Sequence, residues 1–196
     1  MTLVLASGSA TRRKMLQAAG LSFEVDPASV DEDAAKTDLR AGGLAPREQA
    51  NALAELKARS VSERRAGLVI GADQMLALDN ETLDKPKDIE EARRHLRRMR
   101  GKTHELLCAA VVARDGNIVW RCLQTPKLKM HDLSDAYIDG YLARAGDAVL
   151  ASVGAYQLEG LGAQLFERVE GAYFSVLGLP LLPLLAFLRE QGVIER

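Results

Sequence analysis

The most constraining feature of this chain is an Asp115-Gly116 dipeptide between two long apolar runs, Glu105 to Arg114 and Asn117 to Met130. Asp-Gly favours the left-handed conformation at both central positions of a two-residue hairpin turn, so the flanking runs must pair antiparallel. Elsewhere strand-like and helix-like segments alternate, the pattern of a parallel sheet covered by helices. Together they predict an α/β protein with a mixed twisted sheet, flanking helices and one long inserted hairpin. A two-residue loop pairs Arg114 with Asn117. In that register Cys108 faces Leu123, while Cys122 pairs with Ala109 and points to the opposite face. With no metal-ligand spacing, the two cysteines read as small core hydrophobes rather than redox groups.

Leu3 to Ala6 reads as a short strand, Ser7-Gly8-Ser9 as a tight loop, and Thr11 to Ala19 as a helix stopped by Gly20. Residues 26–45 are polar and acidic, a loop or short helix. Pro46 opens a helix with Ala50, Leu53, Ala54, Ala58 and Val61 on one stripe, and Leu68-Val69-Ile70 is a buried strand ending at Gly71-Ala72-Asp73. Asp88 and Glu91 start a helix closed by Gly101, and Ser134 caps another that ends at Gly146. Residues 150–178 are glycine-rich and irregular before a Leu-rich helix from Pro180. No linker divides the 196 residues, so a single domain with two lobes around a cleft is expected.

Composition narrows the partners. Lys and Arg number 26 against 27 Asp and Glu, a net charge of −1, without the basic field of a dedicated nucleic-acid binder. The apolar N-terminal run is about five residues and precedes its positive charges, unlike a signal peptide. The apolar stretch at 176–188 is broken by Pro180 and Pro183 and is too short to span a bilayer. A cytoplasmic protein is expected, with neither membrane nor nucleic acid as partner.

Three places carry charge in suggestive positions. Arg12, Arg13 and Lys14 crowd the first turn of a helix, where each cation opposes the dipole at a cost of about 0.3–1 kcal/mol. Either they are solvated, or an anion sits among the Ser7 and Ser9 hydroxyls and the unpaired N–H groups of the helix start. Asp73, at the rim of a buried strand, could bind a divalent metal, orient a water, or serve as a turn residue. Lys57 lies on the apolar stripe of its helix, where it must snorkel, pair or reach into a cleft. Lys85-Pro86 adds a further cation, Asp31-Glu32-Asp33 a set of acidic oxygens, and Glu159 a carboxylate in a glycine-bounded loop. Arg93, Arg97 and Arg100 share one helix face and read as a solvated face. His95 and His131 read as surface residues. No nucleophile motif is present, and cations with carboxylates suit phosphoryl chemistry.

The ordered motifs Ser7-Gly8-Ser9 with Arg12-Arg13, Asp31-Glu32, Lys57, Gly71-Ala72-Asp73-Gln74, Lys85-Pro86, Gly101-Lys102-Thr103-His104, Gly154-Ala155-Tyr156, Glu159-Gly160 and Gly178-Leu179-Pro180 resemble the Maf family. The resemblance implies a fold similar to inosine triphosphate pyrophosphatases. It also implies a metal-dependent enzyme converting a nucleoside triphosphate to the monophosphate and pyrophosphate with Mg²⁺ or Mn²⁺, and homodimerisation. On this pattern Asp73 accepts the proton of the attacking water, and Asp73 with Glu32 holds the metal. Ser7, Arg13, Lys57 and Lys85 hold the triphosphate, joined by Arg12 from the anion-site reading. Thr11, Gln74 and Glu159 correspond to the positions of base choice. The longer first loop, Gln74 and Glu159 look like the branch acting on 7-methylguanosine triphosphate, a house-cleaning role, although Ala10 and Thr11 replace that branch's proline and bulky aromatic. The alternatives are a non-catalytic nucleotide- or nucleic-acid-binding regulator of cell division, and a protein-interaction module using the Leu-rich C-terminus.

Overall fold

The computed structural model describes residues 2–195. Eight strands form one mixed sheet: β1 (Leu3–Leu5), β2 (Glu24–Val25), β3 (Leu68–Leu78), β4 (Glu81–Leu83), β5 (Thr103–Arg114), β6 (Asn117–Gln124), β7 (Lys127–Met130) and β8 (Phe166–Glu170). The order is β2-β1-β3-β5-β7-β8, with β4 paired to β3 and β6 to β5. The helices are α1 (Ala10–Ala18), α2 (Glu32–Ala41), α3 (Pro46–Ser62), α4 (Ile89–Met99), α5 (Asp135–Ala145), α6 (Tyr173–Val176) and α7 (Leu181–Glu190). The fold is the expected mixed α/β class.

Two compact units divide the chain, and β3 and β5 contribute residues to both. The first comprises Met1–Gln74, Cys108–Gln124 and Ala172–Arg196. Here β1 pairs parallel with both β2 and β3, as helical crossovers require. Leu5, Leu16, Ile70, Val112, Leu184 and Leu188 build its core, and Trp120 stacks on Phe187 with ring centroids 5.5 Å apart. The α3 stripe is buried as its spacing predicts, at Ala50, Leu53, Ala54, Ala58 and Val61. The second unit comprises Met75–Leu107 and Thr125–Gly171. Its helices α4 and α5 are tied by ion pairs of Arg93 with Asp139 and of Arg97 and Arg100 with Asp135.

The sequence expectations need four corrections. First, β3 does not end at Asp73 but runs on to Leu78 and turns through Asp79 and Asn80, both left-handed (φ 52° and 66°), into β4. Gly71 serves close packing rather than a turn: a Cβ there would lie 2.3 Å from the Ala54 carbonyl and 2.6 Å from the Ala58 nitrogen. Second, a bulge at Val112/Ala113 shifts the hairpin register, so that Cys122 pairs with Ala110 and Cys108 with Gln124. Paired residues share a face, so both cysteines lie on the same side, and both are free. Third, His95 is buried on α4 rather than at the surface. Its neighbours Ala92, Leu96 and Met99 show that it lies on the apolar stripe. Fourth, the irregular stretch contains β8 and α6, too short for periodicity to reveal.

Candidate active site

The first unit gathers eight of the expected site residues. Ser9 caps α1 by accepting a hydrogen bond from the Arg12 backbone N–H at 3.3 Å, and Ser9 N–H in turn donates to Ser7 Oγ at 3.3 Å. Ser7 is buried, the first turn of α1 holds no acidic residue, and Arg13 is exposed. Thr11 is half-buried beside them.

Close packing of α3 on β3 at Gly71 sets Lys57 against Asp73. Lys57 Nζ donates to Asp73 Oδ1 at 2.7 Å and pairs with Glu32 Oε2 at 2.8 Å. Both Lys57 and Asp73 side chains are 8% exposed, whereas Glu32 is 46% exposed at the start of α2. Pairing therefore resolves the Lys57 alternatives. An ammonium has three donors, so one N–H remains for a ligand. Asp73 Oδ2 is buried and has no hydrogen-bond partner, an arrangement that costs free energy unless a ligand or proton meets it.

Among the described residues no group of three or more His, Cys, Asp or Glu gathers to hold a metal. A magnesium-type ion held by one or two carboxylates and substrate phosphates needs no such group, and the free Asp73 oxygen with Glu32 nearby on the same lysine fits that donor set. No cysteine nucleophile competes. Burial pushes the Cys108 thiol up to about 12, and burial also raises Cys122.

Two side chains are placed in a way their spacing did not announce. The Arg12 guanidinium donates from Nε to Gly178 O at 2.8 Å, and from Nη1 to Ser7 Oγ at 3.1 Å and Ala72 O at 2.9 Å. Three of its five N–H donors are thereby committed to the protein, leaving Nη2 for an anion. Gln74 donates both amide hydrogens to the carbonyls of Ser175 and Val176, at 2.9 and 3.0 Å. The glycine of Gly178-Leu179-Pro180 was the only signal at that end of the chain.

Lys85 and Glu159 lie in the second unit, and both are exposed. There too His104 is buried, with Nε2 2.7 Å from Tyr156 Oη and its ring tilted against Phe166. Burial pushes the imidazole down to about 4. The unfolded chain, near 6.5, takes up this proton first, so stability is greatest above pH 6.5 and falls as pH drops towards 4, by roughly 3 kcal/mol from this group. Urea titrations between pH 7 and 4 should show that slope in the wild type and a shallower one in His104→Asn. Equal slopes would show that His104 is not its source.

A strand–loop–helix start lined with hydroxyls and cations, in one unit with a buried lysine–carboxylate cluster, marks the chain as a mixed α/β protein with its charged groups gathered at the end of β1 and within β3. The Maf-like protein family matches residues 2–191, and the chain belongs to that family. Similar proteins include "Nucleoside triphosphate pyrophosphatase" of Hyphomonas neptunium, 53% identical over 99% of this chain and 98% of that protein. A protein of the same description from Paramagnetospirillum magneticum is 55% identical over 96% of this chain and 98% of its own. "7-methyl-GTP pyrophosphatase" of Mesorhizobium japonicum is 52% identical, covering 98% of each chain.

Proposed function

We propose that this protein is a nucleoside triphosphate pyrophosphatase, hydrolysing a nucleoside triphosphate to the monophosphate and pyrophosphate. The observation that carries this reading is the buried Lys57–Asp73 pair with its partnerless Asp73 Oδ2, in the same unit as the Ser7 loop. Water attacks the α-phosphorus, its proton passes to Asp73 Oδ2, and the bond between the α-phosphorus and the α–β bridging oxygen breaks. Pyrophosphate leaves with that oxygen. Lys57 orients Asp73 through the 2.7 Å hydrogen bond to Oδ1 and offers its remaining N–H to the phosphates. Ser7, Arg13 and the free edge of Arg12 hold the phosphate chain, and Lys85 and Glu159 enter on the family pattern, as triphosphate and base contacts. Mg²⁺ or Mn²⁺, held by Asp73 and Glu32, would neutralise developing charge on the phosphate oxygens.

The names of the Mesorhizobium japonicum relative and of the similar Rhizobium meliloti protein support a methylated purine substrate and a house-cleaning role. Nothing favours a nucleic-acid-binding regulator: the α4 arginines are engaged with Glu90, Asp139, Asp135 and Glu81. No helix of the described residues is long and apolar enough to cross a membrane. Cytoplasmic location and a homodimer complete the reading, the latter checked by sedimentation.

A panel of canonical and methylated nucleoside triphosphates with Mg²⁺ should release pyrophosphate and the monophosphate, and EDTA should abolish the release. Orthophosphate as the sole product would overturn the reaction; undiminished turnover in EDTA would remove the metal.

A further inference from the structure

Within the second unit, β8 is the last strand of the sheet, and among the described residues no strand pairs with its outer edge. Such an edge offers unpaired backbone N–H and C=O groups to any strand that fits it. The registers of β5, β7 and β8 set its side chains in rows across the sheet. On one face His104 lies opposite Leu128, and Leu128 opposite Val169. His104 and Leu128 are buried whereas Val169 is 38% exposed, so this row is cut off at the sheet edge. On the other face one row runs Glu105, Lys127, Glu170 and alternates in sign, with Lys127 Nζ 3.5 Å from Glu105 Oε1. The next row runs Thr103, Lys129, Arg168, which sets two cations directly opposite each other, an unfavourable arrangement.

These rows decide what the edge can pair with. When two identical strands meet antiparallel about a two-fold axis, facing residues lie on the same side of the joined sheet, so one residue must face its own copy. Centring on Glu167, Arg168 or Glu170 sets two like charges opposite each other. Centring on Val169 sets valine against valine and brings Arg168 opposite the second copy's Glu170 twice over. The apolar row then runs unbroken through the axis. The charged row continues from Glu170 into the second copy's Arg168, so that Arg168 gains an acid on the side away from Lys129. Arg168 and Glu170 pair within the strand at 2.8 Å, and at 64% and 54% exposure their charges stand at the surface to be shared.

We propose that the outer edge of β8 is a self-recognition surface: a second copy of this chain adds its own β8 antiparallel, with Val169 on the two-fold axis and Arg168 facing Glu170 in both directions. The surface stands independently of the nucleotide reading, since Arg168, Val169 and Glu170 take no part in the candidate active site. Three facing pairs make a contact well short of the ~1,600 Å² of a standard interface, so the association is weak, concentration-dependent and screened by salt.

Sedimentation equilibrium from about 10 µM to about 1 mM should show the wild type passing from monomer towards dimer, and less readily as salt is raised. Arg168→Glu sets Glu against Glu at both contacts and Glu170→Arg sets Arg against Arg, so each should weaken self-association by at least about tenfold. An equimolar mixture of the two variants restores opposite charges at both contacts, and so does the double variant in a single chain. Both should associate within about threefold of wild type. Val169→Lys should stay monomeric, because it places two ammonium groups on the axis. A wild type that stays monomeric at the highest concentration would overturn the proposal. Single variants that associate as the wild type does would place any contact on another surface and overturn it equally. So would a mixture and a double variant that both fail to recover association, since a folded chain with complementary charges should regain it.

Discussion

Asp73→Asn should lower kcat by about 10²- to 10⁴-fold while nucleotide affinity stays within a few-fold of wild type. That range is what a positioned general base contributes. Asparagine keeps the size of the side chain and an oxygen for Lys57 Nζ, 2.7 Å away in the wild type, but it cannot take a proton from water. The phosphate-holding groups of the Ser7 loop are untouched, and Lys57 retains Glu32 as a counter-ion. Pre-steady-state pyrophosphate release and nucleotide titration on the same preparation separate the two effects. A kcat equal to wild type would remove Asp73 from the chemistry.

Lys57→Met tests the other half of the pair and should act on the fold as well as on turnover. It strands a carboxylate that is 8% exposed with neither oxygen partnered, and breaking a buried pair from one side costs about 3–5 kcal/mol. The contact with the half-exposed Glu32 adds about 1 kcal/mol or less. Urea denaturation should show that loss, and Lys57→Met combined with Asp73→Leu should regain most of it, because apolar side chains of similar volume replace a buried ion pair at little cost. Neither variant should turn over nucleotide. A single variant as stable as wild type would mean that the pair is more hydrated than its burial indicates.

Much of this site was legible because charge on an apolar stripe is conspicuous. Lys57 stood out among Ala50, Leu53, Ala54, Ala58 and Val61, and the cations of α1 stood out against a helix dipole. The roles of Arg12 and Gln74 were not legible, since each is defined by carbonyls more than a hundred residues away. Gly71-Ala72-Asp73 resembled a strand end because a glycine at a strand–helix contact and a glycine in a turn look alike in sequence. The Asp79-Asn80 turn into β4 carries a readable signal, two residues tolerant of left-handed backbone. His95 shows the limit of residue type as a guide, since an imidazole on a helix stripe is buried whenever its neighbours are.

The bulge in the hairpin bears on how such chains can change length. Beyond it, Trp120 pairs with Val112 and stacks on Phe187 of α7, while Arg121 is turned towards Glu55 of α3. Removing Val119, the unpaired residue, would close the bulge and leave Trp120 opposite Val112 and Arg121 opposite Val111, so the indole and the guanidinium keep their faces. A single residue can therefore be lost at this point of the hairpin without turning any side chain over, which makes the bulge a place where the length of such chains is free to differ by one.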